Sequence, residues 1–402
     1  MHGHRIEQIE DKAPLQTSPV LPLLMIVLAV VGLGAFAYGA FMGSAEERVR
    51  AWAGMMVAGT FFWFLSMGAG AFLSINYIVG AKWFVAVKRL PESLAQFAYR
   101  GGFVFVLLPL LAVGMLYPWA QPDAEYPYAG TLKRVWLSPS VHYVKVLAYV
   151  AILTVTTFVL VGKSRAAARN SDDPAYQGRY RFSIAYIIIF GFTFSLFAWD
   201  VLMSLEPEWF STMFGVYCFI GAFNSAMAVM MMMMFYLRSK CEYIQERHLH
   251  DMGTYVMAFS TFMIYVGFSQ FMLIWYANMY DETFYYLNRY QGGWYVLTIM
   301  VPILKWVVPF LILMPPSYRT NLSAQTVACA AILIGQAMDI YWMVQPSLSP
   351  VAIAPSLVNV LTFVGVGGVF GFTVLNALAS HSKVPTEDPD LLSSVNGDYL
   401  HA

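Results

Sequence analysis

Ten stretches of mainly apolar residues, separated by shorter polar connections, leave this chain few ways to fold. An α-helix rises 1.5 Å per residue, so about 20 residues cross the roughly 30 Å hydrocarbon core of a bilayer. By that ruler the stretches at 20–43, 52–78, 99–119, 141–162, 180–204, 210–237, 253–278, 292–314, 322–345 and 355–380 predict ten transmembrane helices. Backbone polar groups in hydrocarbon must bond within the chain, which makes a helix the spanning element for runs of this length. Pro19, Pro22, Pro139 and Pro355 fall near helix starts, where proline is tolerated. Composition agrees, with 59% hydrophobic and 11% charged residues against about 25% charged in soluble domains. The 25 Tyr and 11 Trp suit many helix ends at the bilayer interface. A formal net charge of zero argues against nucleic acid as a partner. Residues 1–19, with His2, His4, Arg5, Glu7 and Lys12, read as a polar tail without a signal-peptide layout.

Orientation follows from the basic residues. The two tails and the even-numbered connections hold 15 Lys and Arg, the odd-numbered connections hold 5, and Arg100, Lys145 and Lys305 remain. The richest connection carries Lys163, Arg165, Arg169, Arg179 and Arg181. Both termini are therefore expected on the cytoplasmic side, with residues 381–402 as a second tail. An acidic stretch at 386–390 in that tail is expected to be disordered or to form a docking strip for a neighbour.

Two stretches carry a carboxylate into the apolar interior. Trp199-Asp200-Val201-Leu202-Met203-Ser204-Leu205-Glu206-Pro207 ends the fifth span, and Met338-Asp339-Ile340-Tyr341-Trp342-Met343-Val344-Gln345-Pro346 ends the ninth. In both, a Pro follows the Asp by seven positions. An ionisable side chain at membrane depth is costly and marks a functional site by default. The repetition suggests two related four-helix bundles, spans two to five (about 52–204) and six to nine (about 210–345). Spans one and ten stand outside them, giving an all-α membrane domain over 20–380.

Around these carboxylates lie the candidates for proton transfer. His142 and Lys145, three residues apart on the fourth span, share a helix face near the depth of Asp200. They are expected either to join Asp200 in a cluster or to sit as interfacial anchors, with Lys145 reaching outward. On the ninth span Gln336 shares a face with Asp339. Lys305 lies mid-span between Pro302 and Pro309, and Pro309 leaves the Lys305 carbonyl without its usual helical donor. Counting rise per residue puts Lys305 and Asp339 on the order of 10 Å apart in depth. That spacing predicts a link through water or Gln336 in preference to direct contact, although an ion pair locking the helices is the competing reading. Asn224 and Gln270 either extend such a path or join helices to each other. Glu206 and Glu208 read as a solvated turn, and Met230 to Met234 as flexible packing. Gly68-Ala69-Gly70-Ala71 and Gly367-Gly368-Val369-Phe370-Gly371 read as patches for close helix contact.

Cofactor motifs are absent from the sequence. Cys218, Cys241 and Cys329 lie far apart with no CxxC or CxxCH spacing. Only His142 of seven histidines falls near a span, whereas a membrane b-haem takes two. The chain is expected to hold no haem, iron–sulfur cluster or metal of its own.

Three stretches carry a resemblance to a known family: Phe197-Ala198-Trp199-Asp200-Val201-Leu202-Met203-Ser204-Leu205-Glu206-Pro207-Glu208-Trp209-Phe210-Ser211-Thr212, His250-Asp251-Met252-Gly253, and Phe268-Ser269-Gln270-Phe271-Met272-Leu273-Ile274-Trp275-Tyr276-Ala277-Asn278. With ten spans over nearly the whole chain, it resembles the NrfD/PsrC-like quinone-interacting membrane subunits, most closely the F-type subunit of bacterial alternative complex III. The resemblance implies a quinol-oxidising respiratory complex in a bacterial inner membrane, fed by menaquinol or ubiquinol. Haem c and iron–sulfur clusters would then reside in cytochrome c and iron–sulfur partner subunits, beside a sister subunit (ActC) and, in some assemblies, a terminal oxygen reductase. In that family the quinol site is assigned to the sister and a proton path or scaffold role to the F-type subunit. The expected role here is a proton path through Asp200, Lys305 and Asp339. The alternatives are a quinol site at His142 and Asp200, or a purely structural subunit. An independent transporter is disfavoured, because the Pro302/Pro309 pair has no counterpart in the fourth span.

Overall fold

Ser44 opens the second span with a reciprocal cap: its hydroxyl accepts from the Glu47 N–H and the Glu47 carboxylate accepts from the Ser44 N–H at 2.7 Å. Such a cap satisfies two of the donors that every helix start leaves open. The computed structural model describes residues 18–121, 131–168, 170–349, 351, 354–382 and 384–398. Most of the N-terminal tail, with Arg169, Lys383 and residues 399–402, lies outside these, so the corresponding part of the charge count does too.

Among the described residues the fold is all-α, with ten helices long and apolar enough to cross a membrane. They run Val20–Met42, Ala45–Ile78, Arg89–Leu116, Pro139–Arg165, Pro174–Leu205, Met213–Arg238, Glu246–Ala277, Tyr295–Leu313, Leu322–Ser347 and Leu357–Ala379. This is the architecture of a multi-pass membrane protein. Several helices begin earlier than hydropathy places them. The third starts at Arg89 and not near 99, because its two charges pair internally, Arg89 to Glu92 at 2.9 Å, and so extend the helix instead of ending it.

The second span is apolar all round and buried all round, as a helix in the core of a large bundle must be. It packs against the third, fifth, sixth and tenth spans. Gly68 permits this: a Cβ there would stand 2.3 Å from the Ala222 carbonyl oxygen of the sixth span. Gly368 does the same for the pairing of the tenth span with the first, where a Cβ would lie 2.6 Å from the Met25 carbonyl oxygen. Met230, Met231 and Met234 are buried while Met232 is exposed, as five consecutive residues spread around one helix must be.

Three spans contain a π-helical turn, at Ala98–Gly102, Ala198–Leu202 and Ile303–Val307. Each such turn inserts a residue and re-aims the side chains beside it, a feature common at functional sites. The second of these holds Asp200 and the third holds Lys305. The donor that Pro309 lacks coincides with the third.

The acidic C-terminal stretch is neither disordered nor a free strip. Asp388 is buried against Lys88 and against Arg179, the latter at 2.7 Å. Glu387 pairs with Arg89 at 3.0 Å, and the Tyr176 hydroxyl donates to Asp390 at 2.7 Å. Ser394 then locks onto the Trp83 carbonyl at 2.8 Å. The basic residues that dominate the connections on this side are the seat for the tail, which is why the stretch folds back.

Candidate functional site

The fifth span delivers Asp200 from its π-helical turn into an interior formed with the fourth span. One carboxylate oxygen accepts from Lys145 Nζ at 2.9 Å and from Trp136 Nε1 at 2.8 Å, and the other from the Tyr149 hydroxyl at 2.9 Å. Lys145 Nζ also sits 3.9 Å from the centre of the Trp136 ring, a cation–π contact that helps hold a desolvated ammonium. Lys145 therefore turns inward and is not an outward-reaching anchor. Tyr149 lies one turn beyond Lys145, and this i, i+4 spacing was the signal that could have found it.

His142 does not join this cluster. Its ring is fully buried, 5.0 Å from the ring centres of both Tyr117 and Trp119. Neither ring nitrogen has a hydrogen-bond partner among the described residues. Three residues on from His142 the long lysine stem reaches the carboxylate, whereas the short imidazole stays in an aromatic layer.

On the ninth span Asp339 has a matching environment. One oxygen accepts from Lys305 Nζ at 2.6 Å and the other from the Tyr217 hydroxyl at 2.9 Å. Lys305 Nζ also donates to Gln336 Oε1 at 2.6 Å. The expectation of an indirect link between Lys305 and Asp339 is thus overturned. Counting 1.5 Å per residue assumes a regular helix and stops at the Cα, whereas Lys305 lies in a π-helical turn and its four-carbon stem spans the remaining depth. All four charged groups, Asp200, Lys145, Asp339 and Lys305, are at most 9% exposed. Both aspartates hold the same kinds of partner, a lysine of the preceding span on one oxygen and a tyrosine on the other.

The remaining candidates separate. The Asn224 amide donates to the Ser260 hydroxyl at 3.1 Å, joining the sixth and seventh spans, with no hydrogen bond to either pair among the described residues. Gln270 lines a cavity of about 530 Å³ whose wall includes Lys305, Asp339, Tyr217 and Trp306. Glu206 is not a plain solvated turn. It accepts from Ser347 at 2.9 Å and pairs with Arg289 at 3.4 Å. Arg289 is fully buried and donates to the Trp342 and Met343 carbonyls near the end of the ninth span. It ties together the turns that follow Asp200 and Asp339, and nothing in its local sequence distinguishes it. Glu208 is exposed.

Cys218, Cys241 and Cys329 are buried and unbridged. No group of three or more His, Cys, Asp or Glu among the described residues is placed to hold a metal ion. No protein-family model matches the chain, and no curated protein matches it.

Proposed function

We propose that the chain is a cofactor-free NrfD/PsrC-like subunit of a quinol-oxidising respiratory complex, akin to the F-type subunit of alternative complex III, and that it supplies a proton path. The observation that carries this reading is the pair of buried lysine–aspartate contacts, Lys145–Asp200 and Lys305–Asp339, near the ends of two helices that share an Asp followed seven positions later by Pro. Desolvating two charges costs several kcal/mol per ion, which their attraction offsets only with good geometry. A chain that keeps two such pairs at membrane depth puts them to use. When a proton reaches the carboxylate, the lysine loses its counter-charge and can hand on a proton in turn.

In this reading spans two to five and six to nine are two four-helix bundles with spans one and ten at the edge, and both termini face the cytoplasm of a bacterial cell. Haem c and iron–sulfur clusters belong to partner chains, beside the sister subunit and an oxygen reductase, and menaquinol or ubiquinol is the substrate of the whole. The direct contact of Lys305 with Asp339 favours a second reading, in which the pairs are locks that hold helices together.

The two readings separate in the intact complex reconstituted in vesicles. Under the proton-path reading Asp339→Asn and Lys305→Met lower the protons released per electron while the complex still assembles. Normal release with impaired assembly would establish the lock instead.

A further inference from the structure

Two of the three π-helical turns carry a member of a buried pair, whereas the first, Ala98–Gly102, carries Arg100. Arg100 is exposed, where the third span turns apolar. At the same end of the bundle the fourth span stops at Arg165 and the tenth at Ala379, two residues before His381. Arg89, Arg165 and His381 line one cleft between these helices. The acids at this corner are Glu92, paired with Arg89 at 2.9 Å and Arg165 at 3.4 Å, and Glu387, paired with Arg89 at 3.0 Å. Among the described residues three guanidiniums thus meet two carboxylates, and none of these ion pairs includes Arg100. The charges of Arg165 and Arg100 both reach the Tyr99 hydroxyl. Burial first, then Arg165 and Arg89, hold His381 below its ordinary 6.5, with Glu92 opposing and Arg100 adding. Arg89 is only 6% exposed, and its Nε, a buried donor, has no hydrogen-bond partner among the described residues.

Each feature narrows the occupant. An excess of positive charge with a spare N–H donor suits an anion, and guanidinium groups suit a phosphate. A basic corner where spans meet the membrane surface is a setting for anionic head groups. Apolar surface begins at the same place: the Tyr99 ring packs edge-on against Phe158, 5.2 Å between centres, and Phe158, Val155 and Val104 are exposed on the fourth and third spans. A free phosphate would leave that surface unused, and a zwitterionic head group would bring its own cation to a positive corner. We propose that Arg100, Arg165, Arg89 and His381 bind the phosphate of an anionic phospholipid, whose acyl chains lie along Phe158 and Val104. The site stands apart from both lysine–aspartate pairs and does not rest on the proton path.

The test uses the full chain in nonionic detergent, given equal amounts of dioleoylphosphatidylglycerol and dioleoylphosphatidylcholine, with bound lipids counted by native mass spectrometry. A preference of about fivefold for phosphatidylglycerol is expected, the attraction of one uncompensated arginine at a membrane surface. Arg100→Gln is expected to abolish that preference. Arg181→Gln, which removes an exposed arginine of the fifth span at the same end, is expected to keep it. Thermal unfolding of both variants establishes that they are folded. Equal binding of the two lipids by wild type, an undiminished preference in folded Arg100→Gln, or the same loss in Arg181→Gln would overturn the assignment. Displacement of the lipid by inorganic phosphate, but not by chloride at matched ionic strength, would overturn it too, by making this a site for the free anion.

Discussion

Each of the two buried aspartates divides its oxygens between an ammonium and a phenol, so no single partner determines its charge. Removing one member of a buried pair leaves the other charged and desolvated, at a cost of about 3–5 kcal/mol. Asp339→Asn and Lys305→Met are each expected to lower the thermal midpoint of the purified chain, and the double variant to recover much of the loss. Strictly additive losses would show that the two groups are not coupled. Tyr217→Phe removes one hydrogen bond to a charged group, so a loss of about 1.5–3 kcal/mol is expected in denaturant titration. A loss near zero would mean that the tyrosine does not support the carboxylate. At this scale the sequence was informative about which residues matter and poor about how they meet. Asp200, Lys145, Asp339, Lys305 and Gln336 stood out because charge and amide are rare in apolar runs. The direct Lys305–Asp339 contact did not, because a π-helical turn leaves no periodic mark. Arg289 was illegible for a different reason: a basic residue in a polar connection looks the same whether it is solvated or buried.

Helices and segments carry the next set of expectations. The tail that seats Asp388 against Lys88 and Arg179 is a pH-dependent attachment. Burial acts to raise the Asp388 carboxyl, but the two cations beside it outweigh burial and hold it below its ordinary 3.8. A carboxyl depressed on folding stabilises the attachment fully above 3.8, and that contribution is lost as pH falls below 3.8 through the depressed value. Amide-exchange protection of Leu391–Asn396 is therefore expected to hold at neutral pH and to collapse below 3.8. In Asp388→Asn it should be weak at neutral pH as well. Unchanged protection in that variant would contradict the clamp. Between helices, Gly68→Val forces a side chain against the Ala222 carbonyl oxygen. It is expected to cost about 1–3 kcal/mol by overpacking, read as a lower unfolding midpoint, and an unchanged midpoint would show that the second and sixth spans part without cost. The ten spans were legible from hydropathy to within a few residues at most ends. The exceptions, at Ala45, Arg89, Pro174 and Glu246, are helix starts with charged residues that hydropathy reads as connection. At Ala45 a Ser44–Glu47 cap and an Arg50–Glu46 pair extend the helix, and at Arg89 and Pro174 charged residues find partners inside the protein.

For the molecule as a whole, the two aspartate helices are joined at one end by Arg289 and Glu206 and are each braced by a lysine from the span before. That arrangement ties the turn after Asp200 to the end of the ninth span. The shared Asp-to-Pro spacing was visible in the sequence, and so was the suggestion of two related halves. The cavity beside Lys305 was not, because its lining comes from four spans far apart along the chain. The central claim is that these carboxylates take up and release protons while quinol is oxidised. Infrared difference spectroscopy of the working complex tests it most directly, comparing wild type with Asp200→Asn and Asp339→Asn. The account predicts a protonated-carboxyl band that appears during turnover and is lost in the variant that lacks the responsible aspartate. A wild-type spectrum without any carboxyl change during full-rate turnover would contradict it.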